Sequence, residues 1–375
     1  MHFIDLKAQY CRLKSEIDAN LQSVLNSAQF IGGPMVRELE TRLADFVGRA
    51  HCVTCANGTD ALQLAYMAAG VGAGDAVFCP DVTFISSTEP AKMLGATAVF
   101  CDITQDTYTL CPESLERQIC AVLAEGRLTS KAVVAVDILG DPCDYKAIGE
   151  ICKRYGLFLI EDAAQSFGAS YHGQRCGAFG DVAVTSFFPA KPLGCYGDGG
   201  AIFTDNEEME KLFRSLCVHG KGPNGKYDNV RIGMNSRLDS IQAAVLLPKL
   251  RALEEYELAA RQTVAARYNA AFSGRFVTPY VAEECVSVYA QYVLLAKDSV
   301  QRDRILIHLK EKGIPCMVYY PTPQHALPVF QEEPQYGERF INANDYCART
   351  FSLPMHPYLE EAEQEKIIEA VLEVL

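Results

Sequence analysis

The chain has no basic cluster, no apolar stretch of bilayer length and no regular cysteine framework, and each absence excludes a class of protein. Lysine and arginine number 34 against 47 aspartates and glutamates, a formal net charge of −13 that repels phosphate backbones at long range. No nucleic-acid partner is expected. Apolar runs such as Ala132–Val136 stop at charged or turn residues, far short of the roughly 20 residues a spanning helix needs, so no membrane partner is expected either. The 15 cysteines are scattered from Cys11 to Cys347 without the spacing of a disulfide scaffold, and the N-terminus carries no signal-peptide pattern. The expected location is the reducing cytoplasm. The seven histidines are spread out with no H-E-x-x-H or comparable cluster, so no metal site is assigned. Neither an internal repeat nor a low-complexity tract occurs.

What is present suits two packed domains: 375 residues, 49% of them hydrophobic. Between about residues 50 and 205, short apolar runs alternate with amphipathic stretches, the pattern of a mostly parallel sheet covered on both faces. Strands are expected near Cys52–Cys55, Ala76–Cys79, Ala98–Cys101, Ala132–Val136, Leu157–Ile160, Val182–Phe187 and Ala201–Thr204. Helices are expected over Lys7–Ala28, Pro34–Val47, Asp60–Ala69, Pro112–Glu125 and Tyr145–Tyr155. Ser236–Phe272 reads as a long helix kinked or broken by Pro248. Beyond it, strands at Val288–Leu295 and Pro315–Tyr319 and helices at Val300–Lys312 and Glu360–Leu375 make a smaller lobe. The fold class is α/β, with a large mostly parallel sheet domain over residues 1–250, including the N-terminal helices, and a smaller C-terminal α/β domain over 251–375.

Three places could carry chemistry. Asn57-Gly58-Thr59-Asp60 lies where a strand gives way to a helix, so its free N–H groups could hold a phosphate at the positive helix end, although an ordinary N-cap with a turn glycine is the commoner explanation of such a tetrapeptide. Leu157–Ile160 runs into Glu161-Asp162, whose side chains alternate to opposite faces, so only one enters a given pocket at the carboxyl end of the strand. Ser186-Phe187-Phe188-Pro189-Ala190-Lys191 ends a strand in a lysine followed by Gly194, Gly197, Gly199 and Gly200. Glycines let backbone approach a flat ligand, and a lysine shielded from water has a lowered pKa suited to imine formation. An exposed loop lysine is the ordinary alternative.

Two patterns mislead. Gly220-Lys221-Gly222-Pro223-Asn224-Gly225-Lys226 matches G-x-G-x-x-G and nearly a P-loop. It follows a helical stretch (Glu207–Val218), contains Pro223 and ends in Tyr227 where a P-loop needs Ser or Thr, so it reads as a mobile surface loop. Cys52 and Cys55 have redox spacing, but no second pair follows and the strand separates the thiols, so two half-buried strand cysteines are expected.

Taken together, Glu161-Asp162-Ala163-Ala164-Gln165, Ser186–Lys191, Gly197-Asp198-Gly199-Gly200 and Asn235–Ala244 resemble the DegT-type family of pyridoxal-phosphate sugar aminotransferases, over essentially the whole chain. The resemblance implies an aspartate-aminotransferase-like fold and pyridoxal 5'-phosphate as cofactor. It implies that Lys191 holds the cofactor and shuttles the proton, that Asp162 pairs with the pyridine nitrogen, and that Gly58, Thr59 and Ser186 bind the phosphate. Phe84 would stack on the ring, Gln165 would approach the ring hydroxyl, and Asn235 would reach the phosphate of a neighbouring subunit in a homodimer with shared active sites. Arg231, Tyr320 and His325 are the substrate candidates. Arg231 competes with the plain reading of a surface arginine in a loop that also carries Lys221 and Lys226. The Lys191–Gly200 run with Arg231–Asn235 looks most like the branch that aminates UDP-linked 2-acetamido-3-oxo-hexuronates for surface polysaccharides, with glutamate as the usual donor.

The chain departs from the common family pattern at Pro192, at Asp198 and over Asp137-Ile138-Leu139-Gly140-Asp141, which replaces a His-containing, Gln-ending segment. The alternatives are an aminotransferase acting on a dTDP- or UDP-linked 3- or 4-keto-deoxyhexose, a dehydratase, which Lys191 argues against because that branch has histidine there, and a non-catalytic regulatory or binding protein.

Overall fold

A computed structural model describes residues 1–225 and 227–375, so Lys226 lies outside the described residues. In chain order the strands are β1 (His51–Cys55), β2 (Asp75–Pro80), β3 (Thr97–Cys101), β4 (Thr129–Val136), β5 (Phe158–Asp162), β6 (Ser170–Tyr171), β7 (Gln174–Arg175), β8 (Val182–Ser186), β9 (Gly200–Thr204), β10 (Cys285–Val286), β11 (Tyr292–Leu295) and β12 (Thr350–Leu353). The principal sheet has the order β1-β9-β8-β5-β4-β2-β3. Only β9 runs against its neighbours there. The expected sheet strands are all present, because buried β-branched runs with no polar face have few alternatives.

Helices pack on both faces: α1 (Leu6–Ser27), α2 (Pro34–Val47), α3 (Gly58–Ala68), α4 (Glu89–Met93), α5 (Pro112–Glu125), α6 (Tyr145–Tyr155) and α7 (Glu207–Leu216). Strand alternation divides the core. Ile160 joins the cluster containing Leu64 and Val134, while its neighbour Leu159 joins that of Leu115 and Ile148. Cys52 and Cys55 likewise fall in different clusters, but both are buried rather than half-buried.

The long helix is α8 (Ser240–Ala252), followed without a break by one π-turn (Leu253–Glu257) and α9 (Leu258–Phe272). Pro248 does not end it. Proline has no N–H for the carbonyl four residues back, and here that carbonyl, on Ala244, accepts from Asn20 Nδ2 of α1 at 3.1 Å. The second lobe carries α10 (Ser299–Glu311) and α12 (Glu361–Leu372) around a separate cluster that includes Tyr268, Leu294, Leu309 and Ile367, whereas α11 (Ile341–Arg349) sends Ala343, Tyr346 and Cys347 into the cluster of the principal sheet. We propose the domain division within the long helix, about residue 250, on this change of packing partners. The expected strand at Pro315–Tyr319 is not formed, since only Met317 bridges Ser352. The partner of β11 is instead β12, and β11 begins at Tyr292 rather than Val288.

Candidate active site

The carboxyl ends of β1, β2, β4, β5 and β8 open on one edge of the sheet, where open α/β sheets take ligands. Asp162, the last residue of β5, is 5% exposed there. Its Oδ1 accepts from the Ala164 N–H at 3.1 Å, and its Oδ2 accepts from Ser87 Oγ at 3.3 Å. Ser87 Oγ lies 2.7 Å from Thr83 Oγ1, so a short hydroxyl chain backs the carboxylate. Its neighbour Glu161 points the other way and accepts from the N–H groups of Gly177 and Phe179, both at 2.6 Å. Only Asp162 therefore faces the site.

Lys191 follows β8 in a turn closed by its own N–H to the Phe188 carbonyl at 2.9 Å. Burial lowers its pKa, and the nearby Asp162 charge opposes that shift. Burial in turn raises Asp162, against the Ala164 N–H, the Lys191 charge and Ser87. Both are pushed toward their neutral forms by the same dry surroundings. A lysine with a depressed pKa is the nucleophilic amine that imine formation needs. Below this loop the buried Lys249 of α8 donates to the Gly194 carbonyl at 2.7 Å and lies 4.3 Å from the Tyr196 ring centre.

Beside Lys191 is the start of α3. Asn57 caps the helix, its side chain accepting from Asp60 N at 2.8 Å, so the capping reading of this tetrapeptide holds. Capping by Asn57 leaves the Gly58 and Thr59 N–H groups outside the helix ladder, at its positive end. Ser186 closes the third side. A Cβ on Gly58 would lie 2.7 Å from the Ser186 Cβ, and one on Gly200 would lie 2.5 Å from the Asn57 carbonyl oxygen. Glycine is required at both positions for this backbone cradle to form.

The opposite wall comes from the loop after β2 and from the second lobe. Phe84 is 53% exposed, and its ring lies 6.3 Å from that of Tyr320. Gln165 accepts from the Leu139 N–H at 2.8 Å and donates to the Tyr320 hydroxyl at 3.3 Å. His325 is committed to Asp81: its N–H donates to Oδ1 at 2.8 Å, Nδ1 is 2.6 Å from Oδ2, and its ring stacks on Phe340. Gln324 adds bonds to the Asp81 and Thr83 carbonyls at 2.8 and 2.7 Å. These contacts tie the Tyr320–His325 segment to the Phe84 loop.

Asn235 and Arg231 stand apart from this cluster. Asn235 is exposed, bridges Val218 and accepts from Arg237 at 2.6 Å. Arg231 is also exposed and donates to Ser215 Oγ at 2.5 Å. Among the described residues of the loop from Gly220, Lys221 and Asn229 form an antiparallel bridge. Sequence reasoning missed Thr83, Ser87 and Lys249. Hydroxyls four apart after a strand give no local signal, and a lysine inside a helix reads as surface.

A dry lysine facing a dry carboxylate, with backbone N–H groups ready for a phosphate, suits a lysine enzyme of the aspartate-aminotransferase-like class. The chain belongs to the DegT/DnrJ/EryC1/StrS aminotransferase family, which matches residues 12–372. It is 46% identical over 374 residues to the UDP-2-acetamido-2-deoxy-3-oxo-D-glucuronate aminotransferase of Pseudomonas aeruginosa, covering 99% of each chain. The crystal structure of a DegT DnrJ EryC1 StrS aminotransferase from Brucella abortus is similar at a TM-score of 0.96 and 45% identity, over 100% of this chain and 99% of that one. The structure of ntda from Bacillus subtilis with bound cofactor PMP is similar at a TM-score of 0.86 and 27% identity, over 99% and 83% of the two chains. This protein is an aminotransferase, and its cofactor is pyridoxal phosphate. The residues present fit that group, as the Gly58–Ser186–Gly200 cradle, the half-buried Lys191 with its lowered pKa and the buried Asp162 indicate. When bound, pyridoxal phosphate supplies a carbonyl that exchanges between amines and a ring that accepts electrons.

Proposed function

We propose that the enzyme transfers an amino group from glutamate to the C3 ketone of a UDP-linked 2-acetamido-3-oxo-hexuronate, a cytoplasmic step in surface-polysaccharide biosynthesis. The observation that carries this reading is the full-length 46% identity to the Pseudomonas enzyme. The Lys191–Asp162 pair supplies the chemistry it requires. Lys191 would hold the cofactor covalently and would move a proton between the substrate carbon and cofactor C4′. Asp162 keeps the pyridine nitrogen protonated, and Ser87 holds that carboxylate in line. Gly58, Thr59 and Ser186 bind the phosphate, Phe84 covers the ring and Gln165 meets the ring hydroxyl.

The working unit in this proposal is a homodimer with shared sites. Asn235 and Arg231 lie on an exposed strip with Val230 and Ile232, the latter 86% exposed, and apolar side chains so placed are commonly covered by a partner. Across the dimer, Asn235 reaches the neighbouring phosphate and Arg231 meets the hexuronate carboxylate through paired hydrogen bonds. Tyr320 and His325 border the sugar.

The test is turnover of UDP- and dTDP-linked keto sugars, with and without the carboxylate, read by mass spectrometry of the products. The UDP-linked uronate is expected to be aminated fastest, and Arg231→Ala to lose about 2–5 kcal/mol of transition-state stabilisation on it alone, since only that substrate leaves a buried charge unpaired. Native preference for a neutral keto-deoxyhexose would assign the enzyme to the other nucleotide-sugar branch.

A further inference from the structure

Behind the turn that carries Leu139, residues of both proposed domains border a cavity of about 10 Å³, room for one water-sized group. Its walls come from the loop after β3, from the turn after β4, and from residues 279–293 of the second domain. Asp141, 6% exposed, lines it, and Asp141 Oδ1 has no hydrogen-bond partner. Gln291 lines it too, and its Oε1 is likewise buried and unpartnered. Asp106 adds a second carboxylate, Tyr108, Tyr280 and Tyr289 add aromatic rings, and no basic residue takes part.

We propose that this cavity binds one ammonium ion, a cation the size of a water molecule, between Asp141 and Gln291. Two buried acceptor oxygens without donors are costly to leave unsatisfied, and a ligand rich in N–H groups satisfies both. The net negative lining selects a cation, and aromatic walls stabilise an ammonium through their ring faces. A free amino acid is disfavoured, because its carboxylate would meet Asp106 and Asp141. A divalent metal such as calcium takes about six to eight oxygens, more than two carboxylates and one amide arrange here. Burial also pushes the Asp141 carboxyl up to about 7, so a bound cation would restore the charge that burial disfavours.

The site would staple the domains. Gly140 on the turn accepts from the Val288 N–H at 3.0 Å, and Leu139, which lines the cavity, donates its N–H to Gln165 at the active site. None of this depends on which sugar the enzyme takes.

The test is thermal melting of the holoenzyme at constant ionic strength in chlorides of ammonium, methylammonium, potassium, sodium and tetramethylammonium. A saturable rise of a few degrees is expected with ammonium alone, methylammonium being too large for the space, and its loss is expected in Asp141→Asn with wild-type circular dichroism. If that variant does not fold, Gln291→Leu removes the other acceptor and must also lose the rise. No cation-specific rise, which means that water alone fills the cavity, an equal rise with potassium, or an unchanged rise in a folded variant overturns the proposal.

Discussion

The sheet edge and the segment from Val218 to Arg237 contribute to the same proposed site in opposite ways. At the sheet edge, Asp162, Ser87, Thr83 and Gln165 are buried and bonded to one another or to backbone within one chain. In the second region, Asn235 and Arg231 face outward, with only local partners. Residues that must be dry and fixed before a ligand arrives are built into the sheet. Asn235 and Arg231, which the proposed dimer would bring to a neighbouring chain's site, are exposed on the surface of their own.

The sharpest break of this comparison is between Lys191 and Asn235. Lys191→Ala should abolish turnover, and Asn235→Ala should severely weaken phosphate binding. Refolding the two together should restore activity above either parent, because a hybrid dimer carries one site with both native residues. Activity that never exceeds the Asn235→Ala parent would place both residues in one chain's site. A smaller effect is expected within the buried half. Asp162→Asn should fold normally and lose about 4 kcal/mol of transition-state stabilisation, the scale of one preorganised electrostatic partner in a dry site. Near-native kcat in that variant would reduce Asp162 to a structural acid. The smallest expected change is at Ser87. Its bond to Asp162 is long at 3.3 Å, so Ser87→Ala should cost about 1 kcal/mol. That loss should appear in kcat with little change in cofactor affinity, whereas a merely structural serine would shift the melting temperature and leave kcat alone.

The sheet and its site edge were legible in the sequence for the same reason. Runs such as Val133–Val136 and Val182–Val184 are apolar at every position, so strand identity and burial are written together. The contacts that decide finer points are distant in sequence. Pro248 is tolerated in its helix because of Asn20, 228 positions earlier in the numbering, which serves the Ala244 carbonyl. No local pattern shows such a donor. In the smaller lobe, Thr350-Phe351-Ser352-Leu353 mixes polar and apolar residues just before Pro354, and the strand is defined only by its register with Tyr292–Leu295. Local reading favoured the more continuous run at Pro315–Tyr319, which makes a single bridge. His325 was expected beside the sugar, and its bond to Asp81, 244 positions away in the numbering, has no local signal.

The most direct test of the account is the position of the covalent bond between enzyme and cofactor. Purified protein supplied with pyridoxal phosphate should be yellow, and borohydride followed by peptide mapping should place the reduced cofactor on Lys191. The depressed pKa of this buried amine is the physical reason for that selectivity. Label on Lys249, a buried lysine that also has a lowered pKa, or on any surface lysine would contradict the central assignment.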